Sequence, residues 1–69
     1  MLKLIKAVVE SGGNVEITDG ELGVEDIKAV LGAAAISGAQ VTIQASAYPT
    51  ETLLELAQLG GGNLTVKFE

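Results

Sequence analysis

Cysteine, histidine, arginine and tryptophan are all missing from this chain of 69 residues, and these absences exclude several kinds of chemistry. Without cysteine there is no disulfide bond, and without cysteine and histidine the two commonest transition-metal ligands are lost. The basic side chains are four lysines, and the net charge at pH 7 is −5. Nucleic acid and anionic membrane surfaces both attract positively charged proteins, so we expect neither as a partner.

The chain is also poor in aromatic residues, which make up 3% of it, so its core must be built from aliphatic side chains. A domain of this size buries only about 60% of the surface that its unfolded chain exposes, so its stability is marginal. No segment approaches the roughly 18 apolar residues of a membrane-spanning helix, and lysines interrupt the apolar N-terminal run. We therefore expect a cytoplasmic domain stabilised by efficient packing or by self-association.

Three segments alternate apolar and polar residues, a pattern typical of strands buried on one face. They are NVEIT at 14–18, QVTIQAS at 40–46 and NLTVKFE at 63–69. The residues expected on the buried face are Val15, Ile17, Val41, Ile43, Ala45, Leu64, Val66 and Phe68. A sheet covered on both faces requires nearly continuous apolar strands, so we expect every helix on the same face.

A helical pattern precedes each strand, which gives the element order α-β-α-β-α-β and predicts an α/β fold. The three patterns are LKLIKAVVES, VEDIKAVLGAAAISG and TETLLELAQLGGG, with apolar residues at three- and four-residue intervals. Crossovers between parallel strands are normally right-handed, and helices on one face then require strand order 1-2-3. We predict a parallel three-stranded sheet in that order, with its other face polar and open.

Glycines stand before each strand, and their position indicates a structural role. A phosphate-binding glycine loop follows a strand and opens a helix, so that amide groups point at the anion. Here Gly12-Gly13, Ser37-Gly38 and Gly60-Gly61-Gly62 follow a helix and open a strand. We therefore expect these glycines to end the helices rather than to hold a phosphate group.

The segment LIKAVVESGGNVEI at 4–17 aligns without gaps on LLELAQLGGGNLTV at 53–66, which indicates an internal repeat. The middle unit fits if its helix is about one turn longer. We predict a single domain, residues 1–69, of three units at about 1–18, 19–46 and 47–69.

The aligned units resemble leucine-rich-repeat-like or related bacterial α/β tandem-repeat proteins, which are solenoid-like. The resemblance rests on Val15-x-Ile17, Val41-x-Ile43 and Leu64-x-Val66 in the strands, with leucine- and alanine-rich helices between them. It covers nearly the whole chain, and it implies a scaffold that binds proteins rather than a catalyst.

Two surfaces are candidates for such binding. The polar sheet face comprises Glu16, Thr18, Thr42, Gln44, Thr65 and Lys67, and solenoid proteins bind partners on faces of this kind. The alternative is a solvated face without a partner. The free edge of the third strand could accept a strand from another chain. Tyr48, in the loop before Pro49, is either a partner anchor or a turn residue that covers the end of the core.

Catalysis and metal binding have weaker support. The serines have no histidine to activate them, and only an unsupported Ser–Lys pair remains, so we expect neither an enzyme nor a cofactor. Asp19 and Glu21 could hold Ca²⁺ with Glu25 or Asp26, although a solvated turn explains the same residues.

Three functional hypotheses remain open. The first is a non-enzymatic scaffold that binds a protein, or itself, through the polar sheet face or the free edge. The second is a small-ligand or metal-binding domain that uses the Asp19–Glu21 loop. The third is a designed or fragment fold with no evolved function.

Overall fold

A computed structural model describes residues 2–17 and 22–68, and its elements alternate between helix and strand as predicted. The helices are α1 (Leu2–Glu10), α2 (Val24–Ser37) and α3 (Thr50–Gly60), and the strands are β1 (Val15–Ile17), β2 (Val41–Gln44) and β3 (Leu64–Lys67). Short 3₁₀ turns at Ala45–Ala47 and Gly61–Asn63 follow β2 and precede β3. The predicted α/β class is confirmed.

The three strands form one parallel sheet in the order β1-β2-β3, which confirms the predicted topology. One row across the sheet contains Val15, Val41 and Leu64, and the third row contains Ile17, Ile43 and Val66. The row between them is polar. The register therefore separates apolar from polar side chains consistently across all three strands.

Burial alternates along the strands with the same period of two. Val41 and Ile43 are fully buried in β2, whereas Thr42 between them is partly exposed. In β1, Ile17 is buried and Glu16 is exposed. Helices on both faces would bury both sets of side chains, so this alternation supports helices on a single face. That placement stays a prediction.

The strands are shorter than the alternation predicts, and two expected core positions are wrong. β2 ends at Gln44 because a 3₁₀ turn begins at Ala45, so Ala45 does not extend the buried row. β3 ends at Lys67, and Phe68 beyond it is 77% exposed rather than buried. A period-two pattern records the spacing of apolar residues but not where strand pairing stops.

Helix α2 lies between the other two helices. The Ser37 hydroxyl donates to the carbonyl oxygen of Val9 in α1 at 2.6 Å, and Lys28 Nζ lies 3.3 Å from Glu55 Oε2 in α3. Successive helical residues turn by about 100°, so Lys28 and Ser37, nine residues apart, project from opposite sides of α2. The α2 residues between these two sides form the centre of the core: Ile27, Val30, Leu31 and Ala34.

The glycines after the helices end them, as predicted. Gly12, Gly38 and Gly61 have φ angles of 90°, 82° and 54°, in the region that residues with a Cβ atom rarely adopt. Gly38 follows α2 directly, and its N–H donates to the carbonyl oxygen of Ala34 at 2.8 Å. This left-handed residue after the last turn is the usual way in which a helix gives way to a loop.

The gapless alignment of the first and third units fails in the helices. It matches the fully buried Val9 with the exposed Gln58, and the fully buried Leu56 with the exposed Ala7. Residues that face the core in one unit therefore face solvent in the other. The helical part of this alignment is wrong.

A shift of two residues restores the agreement. Val9 then matches the buried Gly60, 51 positions later, whereas Val15 matches Leu64, 49 positions later. The third unit thus has a shorter path from helix to strand. The Gly-Gly-Asn match therefore shows that the two units have similar turns before their strands. It does not align the buried positions of their helices.

Gly60 lies in a space too small for a side chain, which gives a test of the packing of α3. A Cβ atom there would lie 2.9 Å from Leu64 Cβ and 3.0 Å from Leu31 Cδ2. We expect Gly60→Ala to lower the free energy of unfolding by about 1–3 kcal/mol, because overpacking displaces neighbours. Chemical denaturation at low protein concentration measures this change.

Gly32→Ala is the matched control, because a Cβ atom at Gly32 meets nothing within 4 Å. It should raise the free energy of unfolding by up to about 1 kcal/mol, the usual difference between glycine and alanine inside a helix. Equal effects of the two substitutions would contradict the tight packing at Gly60.

Candidate functional site

The polar sheet face carries short hydroxyl and amide side chains. Glu16, Thr42 and Thr65 form one row across the three strands, and Gln44 and Lys67 pair in the next row. The structure therefore brings five of the six predicted residues of this face together. Thr18, the sixth, lies outside the described residues.

One ion pair crosses this face. Lys67 Nζ on β3 lies 3.6 Å from Glu16 Oε2 on β1, and both side chains are about half exposed, at 49% and 51%. Because water screens such a pair, it contributes no more than about 1 kcal/mol. The charges of Lys67 and Glu16 are nevertheless compensated locally, so hydrogen bonding is the main chemistry that this face offers.

Amide side chains tie the starting ends of the strands together. The backbone N–H of Gln40 donates to Asn14 Oδ1 at 2.9 Å, and Asn63 Nδ2 donates to the carbonyl oxygen of Ala39 at 2.9 Å. Gln40 Nε2 also donates to the carbonyl oxygen of Gly62 at 2.7 Å. Residues before β1 and β3 thus hold the start of β2 from both sides.

The sequence analysis included Asn14 and Asn63 only as the first residues of alternating strand segments and missed this role. The signal was present in the recurring Gly-Gly-Asn, which puts an amide at the same point before both outer strands. These contacts fix the spacing of the strands and so support the polar sheet face as one surface.

Tyr48 is buried, which contradicts its interpretation as an exposed anchor for a partner. Its side chain is 9% exposed, and its hydroxyl donates to the carbonyl oxygen of Leu22 at 2.9 Å. Leu22 is itself 5% exposed. The alternative prediction, a turn residue that covers the end of the core, is confirmed.

The proposed calcium loop falls on Asp19 and Glu21, which lie outside the described residues. Glu25 and Asp26 occupy the first turn of α2, where acidic side chains interact favourably with the helix dipole. Across residues 2–17 and 22–68, no three potential metal-ligating side chains cluster together. Within the same ranges, no helix is both long and apolar enough to span a bilayer.

Two of the three serines have structural contacts. Ser11 Oγ donates to the carbonyl oxygen of Ala7 at 2.9 Å, and Ser37 Oγ donates to that of Val9 at 2.6 Å. The Lys28 ammonium group lies beside the carboxylate of Glu55. These contacts hold helix ends and join helices.

The outer edge of β3 is a second candidate surface. Among the described residues β3 pairs with β2 alone, so alternate backbone N–H and C=O groups point away from the sheet. Leu64 and Val66 are only partly buried, and Phe68 is 77% exposed. This edge combines free hydrogen-bonding groups with apolar side chains, the two features that an added strand requires.

The Tyr48 hydrogen bond gives a test of how the loops above the sheet are held. Tyr48→Phe keeps the ring but removes the donor, which leaves the Leu22 carbonyl oxygen without this bond. We expect the free energy of unfolding to fall by about 1–2 kcal/mol. Denaturant titration of both proteins measures the change; an unchanged midpoint would show that this bond does not stabilise the fold.

Comparison of the chain with family models, with curated proteins and with solved structures found no match. The resemblance to leucine-rich-repeat-like proteins therefore stays a prediction. Functional conclusions depend on the surfaces described above.

Proposed function

We propose that this chain is a non-enzymatic scaffold of the α/β repeat type that binds a protein segment at the free edge of β3. The observation that carries the proposal is Phe68, 77% exposed, next to a strand whose outer backbone groups have no partner strand among the described residues. An extended segment added here gains main-chain hydrogen bonds and covers apolar surface at the same time.

The two edges of the sheet differ in how well they suit an added strand. β1 has three residues with Glu16 at its centre, whereas β3 has four and is followed directly by Phe68. Edge lysines commonly discourage pairing. Here the ammonium group of Lys67 reaches back across the sheet to Glu16, which favours β3 as the binding edge.

The polar sheet face is the second candidate surface. Its support is the aligned row of Glu16, Thr42 and Thr65 on strands whose starting ends are tied by amide hydrogen bonds. A flat face of fixed geometry can match a partner by hydrogen bonding without first becoming ordered. Binding here requires a different partner shape from an extended segment.

Selection of peptides from a displayed random library, followed by titration of the best peptide, tests the binding edge. We expect peptides with alternating apolar and polar residues, and we expect their binding to perturb the amide resonances of β3 most strongly. Phe68→Asp should weaken binding at least tenfold, because it removes apolar contact at the edge. Its stability should stay within about 0.5 kcal/mol of wild type, as is usual for exposed positions.

Thr42→Glu, on the central strand, is the control and should leave this affinity unchanged. Failure to select any peptide, or perturbations confined to the polar sheet face, would contradict strand addition at β3. If Thr42→Glu weakens peptide affinity and Phe68→Asp leaves it unchanged, the peptide binds at the polar sheet face instead.

A further inference from the structure

The outer edges of β1 and β3 carry the two complementary halves of one further strand pairing. The N–H of Val15 donates to the carbonyl oxygen of Gln40 at 3.0 Å, so the backbone groups of Val15 point to β2. Successive residues of a strand turn these groups to opposite edges, so those of Glu16 point away from the sheet. Because Val15, Val41 and Leu64 lie in one row, Leu64 points outward from β3 as Val15 points to β2. A second β1 strand beside β3 therefore meets the same donors and acceptors that β2 meets beside β1.

The asparagines before these two strands show the two halves of one amide bridge. Asn14 Oδ1 accepts from the backbone N–H of Gln40 in the following unit, whereas Asn63 Nδ2 donates to the carbonyl oxygen of Ala39 in the preceding unit. With β1 of a second copy beside β3, Asn63 Oδ1 faces the backbone N–H of Asn14 of that copy, whose own Nδ2 faces the carbonyl oxygen of Gly62. Each amide then bonds to the units on both sides of it.

Unlike charges also meet at this pairing. Lys67 reaches across β2 to the carboxylate of Glu16 in its own sheet, at 3.6 Å. Neighbouring strands lie about 4.8 Å apart, so Glu16 of a second copy is one strand away from Lys67 instead of two. The residue opposite that carboxylate is the uncharged Thr65, which shares the row of Glu16 and Thr42.

The outer side of α1 is apolar where the equivalent side of α3 is acidic. The match of Val9 with Gly60, 51 positions later, also pairs Leu4 with Glu55. Glu55 contacts Lys28 across the groove between α3 and the preceding helix, α2. Leu4, which is 65% exposed, therefore lies on the side of α1 away from α2, a side that no helix covers among the described residues.

The outer side of α3 is apolar in the corresponding place. Its buried Gly60 matches the buried Ala34 of α2, 26 positions earlier. The same offset sets Leu54, which is 61% exposed, at the position of Lys28. The ion pair over the groove between α2 and α3 therefore has an apolar counterpart, Leu54 with Leu4, when α1 of a second copy lies beside α3. Covering two leucines contributes more than an exposed ion pair does.

We propose that copies of this chain stack head to tail, with β1 and α1 of one copy on β3 and α3 of another. This contact, which we name the joint, repeats the contacts that join the units within one chain and continues both the sheet and the row of helices. Such stacking depends on the proposed strand addition at β3 and makes β1 of a second copy its partner. Because the two sides of the joint differ, assembly continues unless it closes into a ring.

Light scattering after size-exclusion chromatography, from micromolar to near-millimolar protein, tests the stacking. At a salt concentration of about 0.15 M, repulsion between copies of net charge −5 is screened beyond about 8 Å. The mean mass should rise with concentration past twice the 7.0 kDa of one chain. A monomer at every concentration, or a mass that stops at the dimer, would overturn the stack.

Leu4→Glu blocks one side of the joint and Leu54→Glu blocks the other. Each should weaken association at least tenfold, because it sets a carboxylate in an apolar contact. An equimolar mixture should form a one-to-one heterodimer, since the first variant keeps its α3 side and the second keeps its α1 side. Native mass spectrometry with one variant isotope-labelled detects this species.

Ile36→Glu is the matched control, because Ile36 is 91% exposed on α2, away from the joint, and its replacement should leave association unchanged. All three side chains are exposed, so the variants should remain folded, which circular dichroism checks. Association of either blocked variant as strong as that of wild type, or a mixture without the heterodimer, would overturn the joint. Loss of association in Ile36→Glu alone would overturn it too.

Amide hydrogen exchange tests whether the sheet itself continues. The outward N–H groups of Glu16, Leu64 and Val66 should exchange at least tenfold more slowly in the stack than in dilute protein, because each gains a carbonyl acceptor. The amides of β2, which pairs on both sides within one copy, are the internal control. Association without this slowing would overturn strand pairing at the joint.

Peptide selection at the β3 edge separates the stacking from the proposed function. Peptides that bind β3 of a protein that stays monomeric at every concentration would retain strand addition and overturn the stack. Failure of both experiments would overturn strand addition as well. Leu4→Glu leaves β3 uncovered, so this variant should bind the selected peptides at least as tightly as wild type.

Discussion

The packing of α2 over the central strand β2 is the contact on which the rest of this small fold depends. Val41 and Ile43 of β2 and Ile27 and Val30 of α2 are all fully buried. β2 pairs with both other strands, and α2 contacts both other helices. Burial of a side chain of this kind contributes roughly 1.5–3 kcal/mol, so a few such residues exceed the net stability of a typical small domain.

Much of the fold could be predicted because its strands have one polar face. Alternation along the strands, together with right-handed crossovers, leaves strand order 1-2-3 as the arrangement that keeps helices on a single face. The errors at Ala45 and Phe68 come from the same pattern. Alternation continues in the sequence after the backbone has left the sheet, and only pairing partners show where a strand ends.

The candidate surfaces were predictable to different degrees. The polar sheet face follows from the register of the strands. That register could be predicted because a glycine and an asparagine stand at the same distances before two of the strands, as Gly12 and Asn14 before β1 and as Gly61 and Asn63 before β3. The role of Tyr48 was left between two alternatives, because a lone aromatic in a loop has no periodic neighbours. Its hydroxyl donates to the carbonyl oxygen of Leu22, which is 26 residues away in the sequence.

The exposed apolar residues of α2 were not predicted, and the reason lies in α2 itself. Hydrophobic periodicity identifies the buried side of a helix only when the other side is polar. In α2 both sides are apolar, so Ile36 and Val30 look alike in the sequence although one is 91% exposed and the other is fully buried. Only the elements packed against α2, which are α1, α3 and β2, distinguish its buried side from its exposed side.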